Sequence, residues 1–266
     1  MNNRPIGVFD SGIGGLTVVD ALINRFPNEK IIYFGDTARL PYGNKSSKNI
    51  RHFSNQIARW LIDQDCKLII IACNTASALA LNFLRSKFDI PIIGVIKPGA
   101  LLAIKKSKNN RIGVLGTKAT IFSKSYEDTL LKINRDINVF SKACPLFVPL
   151  AEEGWVSGDV PKSIAEIYLK EIKKSNIDTI ILGCTHYPLI KLVISKILGD
   201  EINLIDSGKA AAESVEEILI RKNLKADIRN TPEINCYVTD SAETFIILAD
   251  KFLTSPINSI KHIELF

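Results

Sequence analysis

Two cysteines carry the strongest chemical signal in the chain. Cys73 ends the apolar run Leu68-Ile69-Ile70-Ile71-Ala72 and is followed by Asn74, Thr75, Ala76 and Ser77. Cys184 ends the run Thr179-Ile180-Ile181-Leu182-Gly183 and is followed by Thr185, His186, Tyr187 and Pro188. A thiol does most of its chemistry as the thiolate. With an ordinary pKa of about 8.5, it needs a helix N-terminus or a neighbouring base to ionise. Both cysteines precede helix-forming stretches, and His186 stands two positions past the second. A lone free cysteine is most often a small buried hydrophobe. A matched pair, each followed by hydroxyl or amide side chains, reads instead as two half-sites that could face one another.

Three chemistries fit these residue types. Cys184 and His186 could be a nucleophile and its base. Cys73, Cys184 and His186 could be three zinc ligands. Alternatively, two thiols on facing lobes, one ionised and one protonated, could remove and return a proton on opposite faces of a carbon stereocentre. They would exchange roles when the direction reverses. Only this last chemistry uses the duplicated setting. A further candidate is Asp10, which opens the turn Asp10-Ser11-Gly12-Ile13-Gly14-Gly15. Its glycines let the backbone pass close to a ligand, and the helix start behind it can hold an anion. The G-x-G-G spacing is neither a dinucleotide fingerprint nor a Walker loop. A carboxylate at a strand end is a candidate base or amine partner.

The elements that must position these groups alternate. Runs such as 68–71 and 179–183 read as strands buried on both faces, and their C-terminal ends are where ligands bind in open α/β sheets. Strands are expected over 5–9, 30–34, 90–96, 111–117, 137–141, 202–205 and 235–239. Helices are expected over 16–26, 46–64 with Ser46 as cap, 78–88, 164–174, a stretch ending at 221, and the C-terminus. Pro188 suits the first turn of the helix after Cys184. Lys97-Pro98-Gly99 reads as a crossover between lobes. Asp206-Ser207-Gly208 echoes Asp10-Ser11-Gly12, and Leu182-Gly183-Cys184-Thr185 loosely echoes Leu115-Gly116-Thr117, as duplicated halves would. The alternation gives an α/β class with parallel sheets and helices on both faces. The expected lobes are 1–97 plus 209–266, carrying Asp10 and Cys73, and 98–208, carrying Glu152, Cys184 and His186.

Composition bounds the setting. At 266 residues, 46% hydrophobic and 23% charged, the chain can build a packed core and is not a disordered class. Its net charge of +6 comes from scattered lysines, and the one tight cluster, Lys105-Lys106-Ser107-Lys108, has no interleaved aromatics. Nucleic acid is therefore not an expected partner. Five cysteines, an odd number with no C-x-x-C pair, argue against a disulfide framework or zinc knuckle and fit a reducing compartment. Cys66, Cys144 and Cys236 read as structural, and His52 and His262 lack chemical context. No signal segment opens the chain, and no apolar run reaches the roughly 18 residues of a membrane span. A cytoplasmic protein with no membrane partner is expected.

Four motifs together resemble the signatures of glutamate racemase, within the aspartate/glutamate racemase family. They are Asp10-Ser11-Gly12-x-Gly14-Gly15-Leu16, Pro41-Tyr42-Gly43, Ala72-Cys73-Asn74-Thr75-Ala76 and Gly183-Cys184-Thr185-His186-Tyr187-Pro188. They occur in the family's order and span nearly the whole chain. The resemblance implies two pseudo-symmetric α/β lobes, each a mostly parallel sheet, with the substrate between them. It implies no cofactor and no metal, and a product, D-glutamate, destined for peptidoglycan. Cys73 and Cys184 would be the two acid/base thiols, Cys73 deprotonating D-glutamate and Cys184 L-glutamate. Asp10 would assist Cys73. His186 and, by position, Glu152 (with Glu153 beside it) would assist Cys184. Ser11, Pro41, Tyr42, Gly43, Asn74, Thr75 and Thr185 would hold the substrate together with Asp10 and His186. A related two-cysteine racemase of aspartate or a hydantoin, or a non-catalytic carboxylate-binding protein, remains the alternative. The resemblance implies glutamate as the small-molecule partner, and a homodimer is compatible with the sequence.

Overall fold

The burial of the strands dictates the architecture. The computed structural model describes residues 1–265. Its elements run β1 (Ile6–Asp10), α1 (Leu16–Arg25), β2 (Lys30–Gly35), α2 (Ser47–Asp63), β3 (Leu68–Ile71), α3 (Asn74–Arg85), β4 (Ile92–Gly94) and α4 (Ile96–Lys106). Next come β5 (Arg111–Gly116), α5 (Lys118–Phe122), α6 (Ser125–Ile133), β6 (Asn138–Ala143), α7 (Phe147–Glu152), α8 (Asp159–Lys173), β7 (Thr179–Gly183), α9 (Lys191–Leu198), β8 (Asn203–Asp206) and α10 (Ser207–Arg221). The chain closes with β9 (Glu233–Val238), α11 (Ala242–Ala249) and β10 (Ser259–His262). The strands form two sheets, ordered β10-β9-β2-β1-β3-β4 and β6-β5-β7-β8. Every pairing is parallel, where the sequence led us to expect mostly parallel sheets. The order β2-β1-β3-β4 is repeated as β6-β5-β7-β8, so β3 and β7 are equivalent strands.

Each central strand feeds two cores. In β3, Leu68 and Ile70 pack with Val18 and Leu22 of α1 and Leu219 of α10, while Ile69 and Ile71 pack with Ile57 and Leu61 of α2 and Leu84 of α3. In β7, Ile180 and Leu182 meet Leu169 of α8 and Val193 of α9, while Ile181 meets Ala100 of α4 and Leu130 of α6. Side chains alternate across a strand, so a strand covered on both faces must be apolar throughout. Each fully buried aliphatic contributes about 1.5–3 kcal/mol.

Several local expectations need correction. The helix after Cys73 starts at Asn74, not at residue 78, because Cys73 itself is its N-cap. The strand expected over 90–96 is only β4, and Lys97-Pro98-Gly99 lies in the first turn of α4. Proline is tolerated there because the first turn has no intrahelical acceptor for its missing N–H. The helix expected over 164–174 begins at Asp159. Pro188 sits in a separate 3₁₀ turn, Tyr187–Ile190, ahead of α9. The helix expected after the 235–239 strand is α11, but a further strand, β10, follows it; this edge strand is half exposed and lacks an apolar run. The Asp-Ser-Gly echo joins unlike positions. Asp10 ends β1, whose counterpart is β5, whereas Asp206 ends β8 and caps α10 by accepting from Gly208 and Lys209 N–H. Ser46 does cap α2, accepting from Asn49 N–H at 3.3 Å.

The end of the first sheet opposite Cys73 is pinned by a buried ion pair. Lys67 Nζ donates to Glu29 at 2.5 Å and to Asn2 O at 2.6 Å, and Glu29 accepts from Ala226 N–H at 2.9 Å. Four separate segments meet there. Removing one partner of such a pair strands the other charge, at a cost of about 3–5 kcal/mol. Lys67→Met is therefore expected to lower the unfolding free energy by about that amount in urea titration. A change below about 1 kcal/mol would show that the pair does not hold this end.

Candidate active site

The C-terminal ends of β1, β2 and β3 in one sheet and of β5 and β7 in the other converge on a cavity of about 370 Å³. Its walls include Ser11, Pro41, Tyr42, Gly43, Cys73, Asn74, Thr75, Glu152, Cys184, Thr185 and His186. Asp10, the remaining expected site residue, lies behind the wall with no exposed surface. A larger groove of about 1380 Å³ between α8 and α9 is lined by lysines and aliphatics and contains none of these groups. Among the described residues no cluster of three or more His, Cys, Asp or Glu side chains could hold a metal, so the Cys73–Cys184–His186 zinc set is not assembled.

The two thiols have different surroundings. Cys73 Sγ accepts from Ala76 N–H at 3.4 Å and lies 3.9 Å from Ser11 Oγ. Burial raises its pKa, the Asp10 charge raises it further, and the helix N–H only partly offsets them. Asp10 Oδ2 accepts from Gly12 N–H at 3.3 Å and Gly15 N–H at 3.1 Å, while Oδ1 is buried without a partner among the described residues. Burial lifts the Asp10 carboxyl above its usual range, against the pull of His186 and the turn amides.

Cys184 Sγ stands 3.8 Å from His186 Nδ1, and His186 Nε2 is 3.0 Å from Glu152 Oε1. Burial alone would push the imidazole down, but the hydrogen bonds to Cys184 and Glu152 outweigh it and hold His186 above its ordinary value. Glu152 rather than Glu153 makes this contact; Glu153 is exposed. Phe252 packs edge-on against the His186 ring at 5.6 Å. Elsewhere, burial first of all pushes Cys66, Cys144 and Cys236 up to about 12, which suits inert structural thiols.

The two sheets' strand ends touch directly around the cavity. A Cβ on Gly14 would fall 2.5 Å from the His186 ring, and one on Gly43 would fall 2.8 Å from Thr117 Cβ. Only glycine allows these approaches. Asn74 and Thr75 commit their side chains to this contact. Asn74 accepts from Tyr126 OH at 2.6 Å and donates to Ser207 Oγ at 3.2 Å, and Thr75 Oγ1 bonds Thr117 and Thr120 at 2.9 and 3.1 Å. What they present to the cavity is backbone: as the first residues of α3, neither N–H has an intramolecular acceptor among the described residues. Sequence reasoning passed over Thr117, Val148 and Pro149, which also line the cavity. Thr117 was recoverable, because it follows β5 as Ser11 follows β1. The apolar wall of Val148 and Pro149 carries no chemical signal.

The sequence profile of the Asp/Glu/Hydantoin racemase family matches residues 6–215. The glutamate racemase of Geobacter metallireducens is 43% identical over 262 residues, covering 98% of this chain and 97% of its own. The crystal structure of a glutamate racemase isoform from Bacillus anthracis superposes with a TM-score of 0.96 at 38% identity, covering 100% of this chain and 99% of that one. That of the Francisella tularensis glutamate racemase in complex with D-glutamate gives 0.93 at 44% identity, again over 100% and 99%.

The His186 surroundings fix a titration. Its raised value means that the pairing stabilises the fold fully below about pH 6.5, the ordinary imidazole value, and loses this as pH rises through the folded value. In NMR titration, the His186 ring should therefore lose its proton above pH 6.5. Glu152→Gln should shift that midpoint downward, since a charged acceptor is lost. A wild-type midpoint at or below the ordinary value would disprove the pairing.

Proposed function

The chain belongs to the Asp/Glu/Hydantoin racemase family and is an amino-acid racemase, and we propose that it interconverts L- and D-glutamate by passing the Cα proton between Cys73 and Cys184. The observation that carries this reading is that the two thiols end equivalent strands, β3 and β7, and line one cavity. We read residues 1–97 with 209–266 as one lobe and 98–208 as the other, with the substrate between them.

Racemisation breaks the Cα–H bond on one face and forms it on the other. We assign Cys184, with His186 as its partner 3.8 Å away, as the base towards L-glutamate, while burial and Asp10 keep Cys73 protonated as the matching acid. In this resting form Cys184 takes the proton of L-glutamate and Cys73 delivers its own to the opposite face. The enzyme is left with Cys73 ionised and Cys184 protonated, the form that acts on D-glutamate. Negative charge that develops on the substrate's α-carboxylate is met by the free N–H groups of Asn74 and Thr75 at the start of α3. Asp10, buried behind the wall, acts through its charge on Cys73 rather than by touching the substrate. Proton transfer of this kind needs no cofactor, and we assign the D-glutamate formed to peptidoglycan synthesis. Depletion of the protein in its host should then be rescued by added D-glutamate.

Circular dichroism of L-glutamate incubated with the protein should decay to zero, while L-aspartate should be inert; the reverse would reassign the substrate. Activity should survive chelation, and loss of activity together with a stoichiometric metal would overturn the thiol scheme. Cys73→Ser and Cys184→Ser should each lose racemisation by about 10²–10⁴-fold. A β-substituted glutamate that eliminates after deprotonation needs only one base. Cys184→Ser should retain elimination from the D form and Cys73→Ser from the L form. Equal loss with both enantiomers in both variants would disprove the two-face assignment.

A further inference from the structure

Asp36 is a fully buried carboxylate that the acid/base scheme does not use. It lies just past β2, at the start of the segment that reaches the cavity with Leu40, Pro41, Tyr42, Gly43 and Asn44. Its Oδ1 accepts from Arg39 Nε at 2.9 Å and Thr239 Oγ1 at 3.0 Å, and its Oδ2 accepts from the Tyr42 hydroxyl. Its N–H donates to Asp10 O at 3.1 Å. Arg39 in turn donates to Gln56 of α2 at 2.7 Å and lies 4.3 Å over the Phe53 ring, and Thr239 accepts from Ala38 N–H at 3.0 Å. The segment is thus tied at residues 36, 38, 39 and 42 to the end of β1, to α2 and to the residue after β9.

This arrangement changes what Tyr42 can offer a ligand. Its hydroxyl is committed to Asp36. Burial, with the Asp36 charge behind it, pushes that hydroxyl well above the ordinary phenol range, so it remains a donor. Tyr42 therefore faces the substrate with its backbone. The N–H groups of Tyr42 and Gly43 have no intramolecular acceptor among the described residues. Two such amides at a turn suit a carboxylate. We propose that Asp36 is a positioning residue for substrate binding: acting through Tyr42, Arg39 and Thr239, it holds the 40–44 segment so that the Tyr42 and Gly43 amides reach a substrate carboxylate. The inference rests on the glutamate racemase reading above.

The test is steady-state kinetics in both directions for Asp36→Asn, Tyr42→Phe and Thr239→Val. Asp36→Asn keeps an acceptor for Arg39 and Thr239 but turns an amide NH₂ toward the Tyr42 hydroxyl. Tyr42→Phe removes only that hydroxyl. Thr239→Val cuts a tie outside the cavity, so it reports on positioning even where Asp36→Asn fails to fold. KM should rise about tenfold for both enantiomers in the first two variants, and about threefold in Thr239→Val, with kcat changed by less than about threefold. That pattern is the loss of binding shared by ground and transition states. Because the enantiomers are equal in free energy, kcat/KM must fall by the same factor in each direction. Wild-type KM in Tyr42→Phe and Thr239→Val, or a lower active fraction at unchanged KM, would reduce Asp36 to a structural strut and overturn the proposal. If the wild-type protein failed to racemise glutamate, the racemase reading and this inference would fall together. An active wild type with indifferent variants would remove only the role of Asp36.

Discussion

A parallel strand covered on both faces has nowhere to place a polar side chain except at its ends, and this constraint organises the molecule. Leu68 to Ile71 and Ile180 to Leu182 are committed wholly to four cores between helices. The first residues released from that demand are Cys73 and Cys184. Helix N-termini follow within a few residues of most strand ends, so unpaired N–H groups gather where the thiols emerge. Thiols and unpaired backbone N–H groups thus arrive together, by one rule applied to two windings of the same order.

Symmetry stops at the side chains. Cys73 lies near a buried carboxylate, and Cys184 lies beside an imidazole backed by a carboxylate. A neighbouring negative charge and a neighbouring cation act on a thiol in opposite senses. Two perfectly equivalent thiols would compete for the same proton; the proposed scheme draws its division of roles from these unlike partners.

Much of this was legible in the sequence, and the reasons are physical. The apolar runs ahead of Cys73 and Cys184 identify themselves because burial on both faces leaves no freedom of composition. Cys73 and Cys184 stood out because strand ends are read directly from those runs, whereas Pro41, Tyr42, Gly43 and Glu152 came only with the family resemblance. Glu152 and Glu153 could not be told apart by pattern; only the placement of His186 separates them. The committed side chains of Asn74 and Thr75 were invisible, since their partners Ser207, Tyr126, Thr117 and Thr120 lie far along the chain. Strand β10 escaped notice because an exposed edge demands no apolar run. The Asp-Ser-Gly echo misled because short motifs recur wherever a helix needs a cap.

Cys73 is also the capping residue of α3, with its sulfur accepting from Ala76 N–H at 3.4 Å. Oxygen-bearing side chains are the preferred groups at that position, and a good cap contributes about 1 kcal/mol to helix stability. Sulfur is larger and a weaker acceptor, so α3 begins on an inferior anchor. The fold therefore tolerates a frailer helix start in order to keep an ionisable atom there. Under the proposed two-thiol scheme, it is a local concession of rigidity to reactivity, at a position where a better-built helix would be a worse catalyst.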